Sequence, residues 1–271
     1  MVRLRDFHPP FTIGRSARAA CARSEPSRAG RRRLRNRRSS GWPAGVDVTL
    51  TPIEVPLPLV LAAGAAALLA LAAALHGIQW SRLRDFEAQS VYAAMLGVAV
   101  AARLARIELQ PGLDLHLFGA SAAALMFGWR FALLQQAAAV ALVALGWGHF
   151  WLHPVLDFVY TGVIPVLLTT ALLDFAQKRM PLHLFVYLLF NGFFGGALAI
   201  ALVQLAKLAT LLMLGAYALD TLGENFLLTV PALMFPEGFA TGALLTMFVA
   251  YRPRWVATFH DASYLGVRGA G

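Results

Sequence analysis

Between Leu57 and Ala250 the chain is a succession of apolar runs, each close to the length of a bilayer crossing, and this limits the fold more than any other feature. A helix needs about 20 mostly apolar residues to span hydrocarbon, where every backbone N–H and C=O must find its partner inside the protein. Seven such segments are legible: 57 to 77, 90 to 106, 115 to 129, 131 to 147, 153 to 174, 184 to 204 and 226 to 250. They are continuous Ala- and Leu-rich stretches without two-residue alternation, which disfavours a transmembrane β-barrel. With 59% hydrophobic and 14% charged residues, a soluble domain of 271 residues would lack polar surface. The expected fold class is all-α, a polytopic transmembrane bundle of about seven helices.

The links between segments give the orientation. In order they carry Arg82 and Arg84; Glu108 and Asp114; Arg130; no charge; Lys178 and Arg179; Asp220 and Glu224; and, after the last segment, Arg252 and Arg254. Lys and Arg near helix ends stay on the cytoplasmic side, so the C-terminus is expected inside and the first helix is expected to begin outside. Arg103 and Arg106 fall at the outer end of the second segment, where snorkelling to headgroups or pairing with Glu108 accommodates them.

The net charge of +9 is concentrated at one end, because residues 1–40 hold twelve Arg against Asp6 and Glu25. The expected division is residues 1–45 as an Arg-rich disordered extension and residues 46–271 as the transmembrane domain. The extension has neither the apolar core of a signal peptide nor that of a foldable unit. Such a segment can attract nucleic acid or acidic lipid; the expected partner here is the bilayer, with no nucleic acid. Twelve arginines outside would contradict the rule that orients the rest. The expectation is therefore a start downstream of Met1, at Val46, Val48 or Leu50, ahead of a transit peptide.

Cys21 is the only cysteine, which excludes an intrachain disulfide. No HExxH, CxxC, phosphate-binding loop or GxGxxG motif is present, so neither an enzyme nor an ATPase is expected. Polar residues converge at the outer end instead. His116 opens the third segment just after Asp114, and His149 and His153 lie in the link to the fifth, with Asp157 four residues on. Pro154 is placed as the first helical residue, with His153 as its cap. Imidazole and carboxylate together suit a divalent transition metal, so Asp114, His116, His149, His153 and Asp157 are the candidate metal ligands. His76, His183 and His260 fall at the opposite end.

Within the segments, Leu61 to Ala74 is nearly all Ala and Leu, a smooth surface for packing in the bundle or for a partner subunit. Gly192 and Gly196 form a GxxxG pair, and residues 205 to 219 read as a helical extension. The last segment is expected to be interrupted at Pro231 and at 234–238, where Glu237 is an intramembrane carboxylate. Glu237 and Asn191 are candidates for an interior path; a structural role fits both as well.

The segment Asp114-Leu-His-Leu-Phe-Gly119, followed by Ala124-Leu-Met-Phe-Gly-Trp129, resembles the CbiM-type permeases, substrate-capturing membrane components of energy-coupling factor transporters for cobalt and nickel. Leu182 to Tyr187 with Asn191, Met234 to Phe239 with Thr241-Gly242, and Tyr251 to Phe259 are similar to a proteobacterial branch of that family, so the resemblance runs from about Leu57 to Leu265. It implies seven helices with an outer N-terminus, a bacterial inner-membrane location, and partnership with a coupling transmembrane subunit and ATP-binding subunits. It also implies a metal held by the N-terminal amine, a histidine at the second position and a histidine that His116 matches. Here the chain departs from the pattern: position 2 is Val2, and no His lies between His8 and His76. The rival expectation is a membrane scaffold of the same fold that has lost metal transport.

Overall fold

The computed structural model describes residues 55–105, 107–110, 113–115, 119–146, 153–215, 219–259 and 264. Among these residues there are seven helices: α1 (Leu57–Leu75), α2 (Phe86–Leu104), α3 (Ala120–Phe127), α4 (Trp129–Gly146), α5 (Pro154–Arg179), α6 (Leu184–Met213) and α7 (Leu219–Tyr251). This is the all-helical bundle that the apolar runs predict. Five helices are long and apolar enough to cross a membrane: α1, α4, α5, α6 and the Val230–Tyr251 part of α7. The protein is a multi-pass membrane protein.

Burial in α1 is the reverse of that in a soluble helix. Leu57, Leu61, Leu68 and Leu69 are exposed, while Ala63, Ala67 and Ala74 are buried. The alanine face packs against α4 and α5, so its small side chains serve close approach within the bundle. The leucines are left for lipid, as are the outward-facing Leu145 and Met213 at 87% and 88% exposure.

The third segment differs from expectation. Instead of one helix over 115 to 129, residues Ile107–Gln110 (β1) and Leu113–Leu115 (β2) pair antiparallel, with Glu108 opposite Asp114. Helix α3 begins only at Ala120, behind Gly119 at φ 60°, so His116 does not open it. At eight residues α3 is about 12 Å long and cannot cross a bilayer alone. Ala120 through Met126 are all buried, and Thr169 midway along α5 donates to Ser121 Oγ at 3.0 Å. The short helix thus starts near mid-bundle. A broken helix of this kind is tolerated in a membrane where protein surrounds its ends.

The last segment also differs, because α7 runs unbroken from Leu219 to Tyr251 through Pro231 and Pro236. Prolines remove single donors, and packing against neighbouring helices makes that loss bearable in a membrane helix. The packing here is close. Beta-carbons built on Gly192 and Gly196 of α6 would meet Gly242 Cα at 3.2 Å and Thr241 Oγ1 at 3.0 Å. One built on Gly238 of α7 would come within 2.6 Å of the Phe193 carbonyl oxygen. The GxxxG pair of α6 therefore meets a second one, Gly238 and Gly242, on an antiparallel α7.

After α7 the chain turns back under the bundle. Ala257 N–H donates to the Met126 carbonyl at 2.7 Å and Thr258 Oγ1 to the Leu125 carbonyl at 2.6 Å. The tail thus satisfies carbonyls at the C-terminal end of α3 that no further helical turn could reach.

Candidate functional site

The candidate ligands divide by position. His116 and His149 lie outside the described residues, and Asp114 is described as the strand residue opposite Glu108. His153 is the N-cap of α5, with Pro154 in the first turn as its sequence predicts. Its Nδ1 accepts the Val155 amide hydrogen at 3.2 Å. With Nδ1 so engaged, Nε2 is the nitrogen left for another partner. Among the described residues no group of three His, Cys, Asp or Glu side chains gathers around one point.

Asp157 is one turn further along α5, buried at 4% exposure, and opposite Arg103 of α2. Arg103 Nε lies 3.7 Å from Asp157 Oδ2. Arg103 Nη2 donates to Gln136 Oε1 at 2.9 Å and to Thr161 Oγ1 at 2.8 Å, and Nη1 to the Ala99 carbonyl at 3.3 Å. Arg103, at 4% exposure, therefore does not snorkel to headgroups. It is drawn inward because a guanidinium in a membrane interior needs a carboxylate and several acceptors to replace water. The cluster ties α2, α4 and α5 together. Sequence reasoning missed it, since Arg103 and Asp157 are separated by two helices and a hairpin.

Thr161 reaches this cluster from an irregular stretch. Val159–Val163 within α5 and Tyr187–Phe194 within α6 are wound as π-helix. Such stretches often coincide with functional positions. The first carries Thr161, whose hydroxyl also approaches the Asp157 carbonyl at 2.8 Å. The second carries Asn191, buried at 1% exposure, whose Oδ1 has no hydrogen-bond partner among the described residues.

Glu237 is the other buried carboxylate among the described residues, at 2% exposure. Its Oε1 accepts the Gly119 amide hydrogen at 3.1 Å. A carboxylate at the start of a helix satisfies an orphan amide and faces the positive end of the helix dipole. Gly119 is three residues beyond His116, so the carboxylate fixes one end of the His116-containing segment from α7. The sequence marks Glu237 as an intramembrane acid; nothing in its local spacing identifies Gly119 as its partner.

The comparisons with known proteins agree with this architecture. Among solved structures, the chain is similar to one described as a truncated transition metal transporter, with 16% identity and a TM-score of 0.60. The likeness covers 74% of this chain and 97% of that one, and at this identity it is a likeness of fold. No curated protein matches. The family described as the cobalt uptake substrate-specific transmembrane region, CbiM, matches residues 53–255, three-quarters of the chain and all seven helices. Members of that family are parts of multi-subunit cobalt transporters. A bundle with a broken third helix and buried charges on its inward faces, matched over that length, belongs to the CbiM family of cobalt uptake membrane components.

Proposed function

We propose that this cobalt uptake component captures a divalent transition-metal cation, cobalt or nickel, at the end of the bundle where α5 begins, with His116 as principal ligand. His153 Nε2, His149 and Asp114 are the supporting donors. Asp157, engaged by Arg103, serves to hold α5 in place beneath them. The observation that carries this reading is the broken helix α3, whose first turn lies in mid-bundle and is capped by Glu237 only three residues past His116. A helix that starts inside the membrane is a recurrent way to present a polar segment to an ion without exposing backbone to lipid.

The basic links at Arg82, Arg130 and Lys178 and the tail at Arg252 and Arg254 support a reading in which the opposite end of the bundle faces the cytoplasm. Capture then occurs from outside and release inside. The chain has no phosphate-binding loop, so uptake needs a coupling transmembrane subunit and ATP-binding subunits of the energy-coupling factor kind. The rearrangement they drive would exchange the metal's protein ligands for water at the inner end.

Calorimetric titration of the detergent-purified protein with Co²⁺, Ni²⁺, Cu²⁺ and Zn²⁺, on wild type and His116→Ala in parallel, tests the reading. One saturable site, lost in His116→Ala, is the expected result and names the metal. Binding unchanged by the substitution would overturn the site. Absence of binding in the wild type would favour a scaffold that has lost transport.

A further inference from the structure

At the end of the bundle away from His153 a cleft of about 150 Å³ opens between α3, α5 and the returning tail. Its lining includes Thr169, Thr170 and Asp174 on successive turns of α5, Thr258 of the tail, and Trp129 at the start of α4. The direction of the hydroxyl protons decides what the cleft can hold. Thr169 donates to Ser121 Oγ at 3.0 Å, Thr170 to the Val166 carbonyl at 2.7 Å, and Thr258 to the Leu125 carbonyl at 2.6 Å. Each proton is committed to an acceptor in the surrounding protein, so what the three oxygens have left is lone pairs, of which Thr258 already uses one to accept the Tyr187 hydroxyl at 2.6 Å. Asp174 at the rim makes no hydrogen bond or ion pair among the described residues. Of the neighbouring cations, Lys178 follows one turn on along α5, and Arg130 lies over the Trp129 ring, donates to the Gly77 carbonyl and lines a separate cleft.

We infer that this cleft is a second, low-affinity cation site, an exit vestibule that takes a partly hydrated divalent cation on hydroxyl oxygens and the Asp174 carboxylate. The inference deepens the transport reading and rests on its cargo being a divalent cation. Oxygen donors hold cobalt and nickel more weakly than imidazole nitrogen, and the volume leaves room for several waters, so the cation stays exchangeable. Thr169 belongs both to the vestibule and to the buried Ser121 pair beside the start of α3. A line of hydroxyls therefore leads from the mid-bundle toward the rim at Asp174.

Terbium provides the probe, since Tb³⁺ prefers oxygen ligands and Trp129 in the cleft wall can sensitise its emission. Titrating the detergent-purified full chain with Tb³⁺ should give saturable emission that Co²⁺ displaces. Asp174→Asn should weaken Tb³⁺ binding at least tenfold and Thr170→Val about threefold, while Trp129→Phe should remove the emission. A titration curve unchanged in Asp174→Asn, or emission surviving Trp129→Phe, overturns the vestibule. In a His116→Ala background the emission should persist. Loss of terbium binding there would also overturn a separate site, whereas failure of the capture site is read independently from Co²⁺ calorimetry.

Discussion

Glu237 Oε1 and the Gly119 amide are 3.1 Å apart, and this one hydrogen bond joins α7 to the first turn of a helix that begins inside the membrane. The tail that follows α7 holds the other end of the same helix through Ala257 and Thr258. Helix α3 is therefore gripped at both ends by one neighbour. A change at the start of α3 has a direct mechanical route to the basic end of the bundle.

Glu237→Ala removes the acceptor for the partly buried Gly119 amide, a loss of about 1–3 kcal/mol, whereas Glu237→Gln retains an oxygen at that place. Thermal unfolding in detergent should show a lower midpoint for Ala than for Gln. Equal midpoints would mean that the charge, and not the hydrogen bond, stabilises α3.

Breaking the Arg103–Asp157 pair from one side leaves a buried ion uncompensated. Arg103→Met or Asp157→Leu alone should each destabilise by about 3–5 kcal/mol, and the double substitution by much less than their sum. A double-mutant cycle on unfolding midpoints would measure the coupling; additive effects would show that the two side chains do not interact.

Gly238→Ala places a methyl group within 2.6 Å of the Phe193 carbonyl oxygen and must push α6 and α7 apart. Overpacking of this sort costs about 1–3 kcal/mol. Gly64→Ala in α1, where nothing lies within 4 Å of the added carbon, is the control and should leave the midpoint unchanged or raised.

Thr258→Val removes the hydroxyl that donates to Leu125 and meets Tyr187 Oη at 2.6 Å. Cleavage within Val256–Phe259 under limited proteolysis should accelerate severalfold while the helical circular dichroism is retained. An unchanged cleavage rate would show that backbone contacts alone hold the tail.

Local signals carried some features of the fold around the candidate ligands. Pro154 and His153 are read correctly as a helix start because proline fixes its own dihedral and a capping side chain bonds two residues away. Gly192 and Gly196 announce a close helix contact by spacing alone; the matching pair Gly238 and Gly242 has the same spacing, but its role was not anticipated. For Arg103 the sequence offered headgroups or Glu108 as partners; its burial beside Asp157 was not legible, since that carboxylate is supplied by a helix far along the chain. Leu115 and Gly119 were placed in a helix because their neighbours are apolar; hydropathy does not distinguish a short hairpin and turn from a continuing helix.

The sequence by itself determined that this is a membrane bundle of seven helices, because apolar length and backbone hydrogen bonding in lipid leave few alternatives. It also fixed the residue types available for metal chemistry. Only the tertiary structure decided which buried polar groups meet: Asp157 with Arg103, Glu237 with Gly119, Ser121 with Thr169. Those pairings depend on how helices far apart in the chain are rotated and brought side by side, and that arrangement follows from packing over the whole bundle and not from any local spacing.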